Sequence, residues 1–191
     1  MSGICLKSAE RIKPECLLDA EDCVLVLIDF QEKLLPAIAG KEKNIANAVR
    51  LLQFSKILGL PVILTEQIKL GPTVPEIKGI MPDEMPISKT AFSCFQSEEF
   101  QEKINVIGRD VLILAGIETH ICVAQTALQA APRRVHVVSD ATSSRTIENW
   151  TVGLNRMREA GAVITSTEML IFELLKKAGT EEFRAVLKLV K

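Results

Sequence analysis

The sequence has no excess of charge of one sign. Its 191 residues include 23 basic and 24 acidic side chains, which give a formal net charge of −1. Nucleic acids and anionic membrane surfaces are normally bound by a basic surface, so this balance argues against both as partners. Strong non-specific binding of nucleic acid is therefore not expected.

Long apolar runs are absent as well. A bilayer-spanning helix needs about 18 consecutive apolar residues, and no stretch of the sequence approaches that length. The first residues, MSGICLKSAERIKPECLL, have neither the unbroken apolar segment nor the small-residue cleavage site of a secretion signal. We therefore expect a cytoplasmic protein, while a short cleavable organellar leader stays open.

Cysteine is too irregularly spaced for a disulfide framework or a zinc knuckle. No two cysteines form a CxxC pair, and no paired histidine tract accompanies them. Because their number is odd, at least one thiol stays unpaired within the chain, and the useful question is which thiol is reactive. The five are Cys5, Cys16, Cys23, Cys94 and Cys122.

The fold class follows from runs of β-branched residues and leucine that show little polar alternation. Such runs predict strands buried on both faces, as in a parallel sheet. Segments with helical spacing lie between them, and the alternation predicts an α/β doubly wound sheet. The predicted strands are residues 24–28, 61–64, 111–114, 135–138 and 162–164, with a weak strand at 86–88, and the predicted helices are residues 44–58, 97–106, 120–131, 147–160 and 167–178.

The length corresponds to about one domain, because domains average roughly 100–200 residues. We predict an N-terminal arm at residues 1–20 and a single domain at residues 21–191. Within the domain, residues 68–87 are rich in proline and glycine and have no clear period. Long excursions of this kind often shape binding sites.

Candidate chemistry lies where the predicted strands end, because ligands of open α/β sheets bind beyond the carboxyl ends of the strands. Asp29 follows the first strand, and Cys122 comes shortly after the fourth. In the first turn of a helix, unpaired N–H groups would stabilise a Cys122 thiolate. Lys89 can balance the Asp29 carboxylate, so the three residues could supply a base, a nucleophile and a cation. Taken singly, each has an ordinary alternative as a packed cysteine, a turn aspartate and a solvated lysine.

Three motifs resemble those of the isochorismatase-like cysteine hydrolase superfamily, which includes nicotinamidases and related amidohydrolases. They are VLVLIDFQEKL with Asp29, ISKTAFSCF with Lys89, and LAGIETHICVAQTAL with Cys122. The resemblance covers about residues 23–171. The strings TEQIKLGPTVPE, KTAFS and VSDATSSR look like the subfamily of isochorismatase domain-containing proteins.

The resemblance implies a three-layer αβα sandwich with a six-stranded parallel sheet, and a homo-oligomer. It also implies covalent hydrolysis of a small amide or related acyl compound. Asp29 would accept the thiol proton, Cys122 would attack the carbonyl carbon, and Lys89 would orient the carboxylate. Water would then hydrolyse the thioester.

The resemblance further implies a non-proline cis peptide at Ile117–Glu118. There the N–H groups of Glu118 and Cys122 would bind the oxyanion. His120 could touch substrate, although a cap or solvent contact is the common role of a histidine at a helix start.

Three more side chains are candidates for the wall of a substrate pocket, because each is adjacent to a motif position. Ordinary core or loop packing is the alternative for all of them. They are Phe30, Gln67 and Phe92.

Departures from the family pattern narrow the chemistry. Metal-dependent nicotinamidases carry Asp-x-His and a further histidine after the second strand, whereas this chain has Glu66, Gln67, Ile68 and Lys69 there and no histidine before His120. We therefore predict neither a bound metal nor another cofactor, and nicotinamide loses support as a substrate. Isochorismatases proper have a smaller residue in place of the nucleophile, so a cysteine argues against vinyl ether cleavage.

Other functions are alternatives to hydrolysis, and several residues have alternative roles. A dinucleotide-binding protein would need a glycine-rich turn after the first strand, but DFQEKLLP contains no glycine. A catalytically silent interaction or scaffold protein on the same fold stays open. Cys94 is a rival nucleophile, and His136 is expected to be packed. Asp140, Ser143, Ser144 and Arg145 could bind an anion or order a loop.

Overall fold

The computed structural model describes residues 17–190. Of the predicted arm at residues 1–20, residues 1–16 lie outside the described part. The end of that segment contacts the domain, because Leu18 is fully buried and its N–H donates to Glu173 Oε1 at 3.1 Å.

The described chain forms a three-layer α/β fold around a six-stranded sheet in which all strands are parallel. The strand order is β3-β2-β1-β4-β5-β6. This confirms the predicted fold class and the sixth, weakly predicted strand. The strands are β1 (Cys23–Ile28), β2 (Val62–Gln67), β3 (Ile87–Lys89), β4 (Val111–Ile117), β5 (Arg134–Ser143) and β6 (Val163–Thr165).

Helices connect the strands and cover the sheet. They are α1 (Lys41–Leu58), α2 (Pro75–Lys78), α3 (Glu98–Ile107), α4 (Ala124–Gln129), α5 (Ile147–Glu159), α6 (Thr167–Leu175) and α7 (Glu181–Val190), with a π-helical turn at Thr119–Val123 directly before α4. Within residues 17–190, none of the helices combines the length and the apolar character needed to cross a membrane.

Each face of the sheet has its own hydrophobic core. Side chains of β1 alternate between the faces, so Leu25 and Leu27 pack under α1 and α6, whereas Val24 and Val26 pack under α3, α4 and α5. Every residue of β1 and β4 is buried. Burial on both faces is the reason these strands read as continuous apolar runs.

Three strands are longer than the apolar pattern predicts. β2 continues to Gln67, β4 continues to Ile117, and β5 continues through the polar segment 139–143. In β5 the backbone of this segment is satisfied from α1, because Asn44 Nδ2 donates to the Thr142 carbonyl at 3.1 Å and Asn47 Nδ2 donates to the Asp140 carbonyl at 2.8 Å. Hydrogen bonds rather than apolar side chains therefore hold this part of the sheet.

The helices also differ in detail from the prediction. The segment predicted as one helix at residues 120–131 begins as the π-helical turn, and α4 proper is short. The short α2 lies in the excursion after β2 and begins at a proline, as helices often do. Helix α7 was not predicted; its Phe183, Leu189 and Val190 pack against the α1 side of the core.

Candidate active site

Asp29 lies directly beyond β1 in a left-handed backbone conformation, with φ of 56°. Aspartate is among the few residues other than glycine that enter this region readily. Its N–H donates to the Thr65 carbonyl at 3.2 Å, and its own carbonyl accepts from the Gln31 N–H at 2.9 Å. The hydroxyl of Thr65 donates to Asp29 Oδ1 at 2.8 Å. The turn thus holds a fully buried carboxylate in one orientation.

Lys89 ends β3 and reaches across β2 to this carboxylate. Its Nζ lies 2.6 Å from Asp29 Oδ2, and it also donates to Gln67 Oε1 at 3.0 Å and to the Ala91 carbonyl at 3.4 Å. Both side chains of the ion pair are excluded from solvent. A buried charge is tolerated only when it is paired and hydrogen-bonded, and here both conditions are met.

Cys122 lies in the π-helical turn after β4, and 6% of it is exposed. Its thiol lies close enough to the Asp29 carboxylate for that group to raise its pKa, and its carbonyl accepts from Thr126 Oγ1 at 2.7 Å. Burial raises the pKa of the thiol to about 12; the negative charge of Asp29 adds to the increase and the Lys89 ammonium opposes it. With a pKa raised this far, the Cys122 thiol is neutral at pH 7.

Glu118 comes between β4 and the π-helical turn Thr119–Val123 that carries Cys122, and the peptide bond Ile117–Glu118 is cis. The Glu118 carbonyl accepts from the N–H groups of Ile121 and Val123, at 3.1 and 3.3 Å. Its carboxylate is paired with Arg145, whose Nη2 lies 3.0 Å from Oε1. The two residues expected to provide oxyanion donors, Glu118 and Cys122, thus belong to one hydrogen-bonded turn.

His120 is half-buried in the same turn, and its Nδ1 is hydrogen-bonded to Ser144 Oγ at 2.9 Å. Helix α5 approaches this region at Gly153. A Cβ placed on Gly153 would lie 2.9 Å from the Cα of His120 and 3.1 Å from the carbonyl carbon of Thr119. The close approach therefore requires glycine.

The other predicted contact residues are found in three different environments. Gln67 is in the site, because it accepts from Lys89 and donates to the Thr90 carbonyl at 2.7 Å. Phe92 follows β3 and is 52% exposed. Phe30 is buried in the core beneath α1. Packing is therefore the evident role of Phe30, and contact of any of the three with substrate stays a prediction.

Two rival assignments have structural explanations. Cys94 is fully buried, and burial raises the pKa of its thiol to about 11. Asp140, considered as part of an anion site, accepts from the N–H and hydroxyl of Thr167 at 2.7 and 2.8 Å. Ser143 donates to the Ala39 carbonyl at 2.6 Å. These bonds order the loops around β5.

Thr65 and Gln31 are site residues that the sequence analysis missed. Gln31 is buried, accepts from the Gln67 N–H at 2.8 Å, and donates to the Gln67 and Gly71 carbonyls at 2.9 and 2.6 Å. It thereby ties the Asp29 turn to the end of β2. The position of Thr65 at a strand end was a visible signal, whereas nothing in the sequence marks the pairing of Gln31.

A metal centre does not emerge from the described side chains. Within residues 17–190, no three His, Cys, Asp or Glu side chains are grouped so that they could hold an ion. A groove of about 1560 Å³ lies away from the cysteine, at the amino ends of β5 and β6. Asp29, Lys89 and Cys122 do not line that groove but lie at the carboxyl edge of the sheet, where parallel α/β folds bind ligands.

These features define a class of protein: a parallel α/β fold whose carboxyl edge brings a cysteine thiol, a carboxylate and an ammonium group together in a nearly closed site. The family of the Isochorismatase domain matches residues 23–169. The chain belongs to this family, as its three motifs suggested.

Individual relatives agree with this assignment. The chain is 40% identical over 180 residues to isochorismatase domain-containing protein 2A of Mus musculus, which covers 90% of this chain and 84% of that protein. A structure described as MAR1 ribonuclease from Caenorhabditis elegans superposes with a TM-score of 0.85 at 33% identity, covering 91% and 92% of the two chains. The YcaC gene product of Escherichia coli, described as an octameric hydrolase of unknown specificity, has a TM-score of 0.86 at 29% identity, covering 93% and 92%.

Proposed function

We propose that the protein is a metal-independent cysteine hydrolase that cleaves a small amide or related acyl substrate through a thioester on Cys122. The observation that carries the proposal is the buried cluster of Asp29, Lys89 and Cys122, in which the carboxylate contacts the ammonium at 2.6 Å and is close enough to the thiol to raise its pKa. Membership of the isochorismatase family supports a hydrolytic role.

The reaction divides into two halves. The Cys122 sulfur attacks the carbonyl carbon while Asp29 accepts the thiol proton, and the carbonyl oxygen becomes an oxyanion. When the tetrahedral intermediate collapses, the C–N bond breaks and Asp29 returns the proton to the leaving amine. Water, with Asp29 as the base, then attacks the thioester and releases the acid and the free thiol.

The raised pKa of Cys122 supports this role for Asp29. With a thiol pKa of about 12, almost no thiolate exists at neutral pH, so the proton must leave as the carbon–sulfur bond forms. The neighbouring Asp29 carboxylate is suited to accept it. Lys89 contributes by holding the carboxylate in place and by limiting the build-up of negative charge.

Stabilisation of the oxyanion is assigned to the N–H groups of Glu118 and Cys122, which belong to one turn. His120, half-buried in that turn, and Phe92, exposed after β3, are the proposed substrate contacts. The small exposed fraction of Cys122 favours a small substrate.

The ribonuclease name belongs to the Caenorhabditis elegans protein, and we do not extend it to this chain. A net charge of −1 gives little attraction for a polyphosphate, and a nearly closed nucleophile does not suit an RNA strand. Similarity to the octameric YcaC protein supports a homo-oligomer for this chain as well.

A panel of small amides, with mass spectrometry to detect the acyl adduct, tests the proposal. We expect an adduct on Cys122 and loss of turnover in Cys122→Ala, while Cys94→Ala, the control for the rival thiol, keeps its activity. If Cys122→Ala still hydrolyses a confirmed substrate, the nucleophile is wrong. If no amide gives turnover or an adduct while the folded protein is intact, the silent scaffold alternative is favoured.

A further inference from the structure

Arg145 binds the carboxylate of Glu118 from the loop between β5 and α5. Its Nε donates to Glu118 Oε2 at 3.1 Å, and its Nη2 lies 3.0 Å from Oε1, so the guanidinium contacts both carboxylate oxygens. The peptide N–H of Arg145 also donates to Oε2, at 3.0 Å. A two-pronged contact of this kind fixes orientation as well as charge.

The position of Glu118 makes this contact relevant to chemistry. Its side chain is 5% exposed, whereas that of Arg145 is 57% exposed. The Glu118 carbonyl is held by two N–H groups of the π-helical turn that carries Cys122, and its own N–H has no backbone acceptor among residues 17–190. Glu118 is therefore fixed through its carbonyl and its carboxylate, while its N–H is left available.

Charge balance does not explain the pairing. Asp29 and Lys89 already neutralise each other at 2.6 Å, and the largest influences on the pKa of Cys122 are burial, Asp29 and Lys89. An ion pair with one half-exposed partner also adds little stability by itself. The contact between Arg145 and Glu118 instead fixes the position of Glu118.

We infer that Arg145 is a positioning residue, which acts through the Glu118 carboxylate to hold the Glu118 N–H where the oxyanion forms. This inference rests on the proposed thioester mechanism. It predicts that Arg145 matters for acyl transfer to Cys122 and not for other reactions of the same thiol.

Two reagents distinguish acyl transfer to Cys122 from other reactions of the same thiol. Iodoacetamide alkylates Cys122 as the S–C bond forms and iodide leaves, with no oxyanion at the carbon. The ester p-nitrophenyl acetate acylates the thiol through a tetrahedral oxyanion, which collapses to the thioester and p-nitrophenolate. Mass spectrometry maps both adducts to Cys122, and the ratio of the two rates reports on oxyanion stabilisation alone.

Arg145→Lys keeps a positive charge and the backbone contact but cannot bind both carboxylate oxygens. We expect its acylation rate to fall at least about tenfold, since loss of one oxyanion donor costs about 10²–10³ in rate, while alkylation is unchanged. Glu118→Gln should give a smaller selective loss. The control is Arg158→Lys in α5, whose guanidinium donates to Asn155 at the surface; both of its rates should match the wild type.

The other possible outcomes overturn the inference, and one of them also overturns the proposed function. If Arg145→Lys and Glu118→Gln acylate as fast as the wild type, or if both reactions slow equally in a variant with wild-type melting temperature, the inference is overturned and the proposed function is untouched. If wild-type Cys122 is alkylated but never acylated, the proposed function fails and the inference fails with it.

Discussion

Gly153, in the middle of α5, lies against the backbone of His120, so close that a Cβ on the glycine would be 2.9 Å from the His120 Cα and 3.0 Å from its nitrogen. Because the neighbouring atoms are backbone, no rotation of a side chain can relieve the contact. The π-helical turn that carries Cys122 is thus packed directly onto α5. The geometry of this turn therefore depends on the absence of a side chain at Gly153.

Gly153→Ala should displace the turn that carries Cys122. Overpacking of this kind costs about 1–3 kcal/mol of stability, and we expect acylation of Cys122 to slow at least about tenfold, because a misplacement of about 1 Å can cost far more. Urea unfolding and the p-nitrophenyl acetate reaction measure the two effects. Val152→Ala is the control, because Val152 is 64% exposed on the same helix. Equal behaviour of the two variants would mean that the contact is not constraining.

Lys89→Met should be strongly destabilising, because it leaves the buried Asp29 carboxylate without its cation. Removing one partner of a buried pair costs about 3–5 kcal/mol. The double variant Asp29→Asn with Lys89→Met should recover much of that loss and still have no hydrolytic activity. A double-mutant cycle of urea unfolding energies measures the coupling. The exposed Lys43→Met variant is the control, expected to change stability by less than about 0.5 kcal/mol. Additive losses would show that the pair is not coupled.

The sequence predicts the strands whose apolar side chains are buried on both faces. It also predicts candidate site residues at the positions where strands end. All residues of β1 and β4 are buried, so their runs are unmistakable. Asp29, Lys89 and Cys122 come together because parallel strands share one carboxyl edge. The second half of β5 could not be predicted, since its polar backbone is satisfied by Asn44 and Asn47 of α1, more than 90 residues away in sequence.

Interactions that arise only from loop packing were also beyond the sequence. The contact of Arg145 with Glu118 joins residues 27 positions apart, in two different loops. The raised pKa of Cys122 depends on how completely the turn is covered, because burial is its largest cause. The sequence pattern therefore identifies which residues lie at the carboxyl edge of the sheet, whereas their pKa values depend on how far the fold excludes solvent from them.

Asp29→Asn should uncouple the reactivity of the thiol from hydrolysis. Asparagine also tolerates the left-handed conformation at this position. The Asp29 charge helps to raise the pKa of Cys122, and Lys89 lowers it. The variant should therefore have a lower thiol pKa, faster alkylation by iodoacetamide at pH 7–8, and no hydrolysis.

The pH profile of alkylation checks this assignment. Wild-type alkylation should increase by about tenfold per pH unit from pH 7 to 10 without a plateau, because the rate follows the thiolate fraction. The profile of Asp29→Asn should bend at a lower pH. A wild-type plateau already at pH 8 would mean that the thiolate is preformed, and Asp29 would not be needed as the base.

His136 should make the fold sensitive to mild acid. It is 6% exposed in β5, and burial, with a smaller contribution from the charge of Arg134, lowers its pKa from 6.5 to about 4. Between these values the unfolded chain binds a proton that the folded protein excludes. The contribution of His136 to stability is therefore complete above pH 6.5, is lost as the pH falls toward 4, and amounts to at most about 3 kcal/mol.

His136→Leu replaces the titratable imidazole with an apolar side chain of similar size. Its unfolding free energy should fall less than that of the wild type between pH 6.5 and 4, whereas the difference between the two proteins should be constant from pH 7 to 8. Urea unfolding at four or five pH values measures both parts of the profile. Asp19, Asp22 and Glu173, which line the adjacent groove, are the same in both proteins, so any contribution from them cancels in the comparison. Parallel profiles through the acid range would mean that His136 accepts its proton without unfolding.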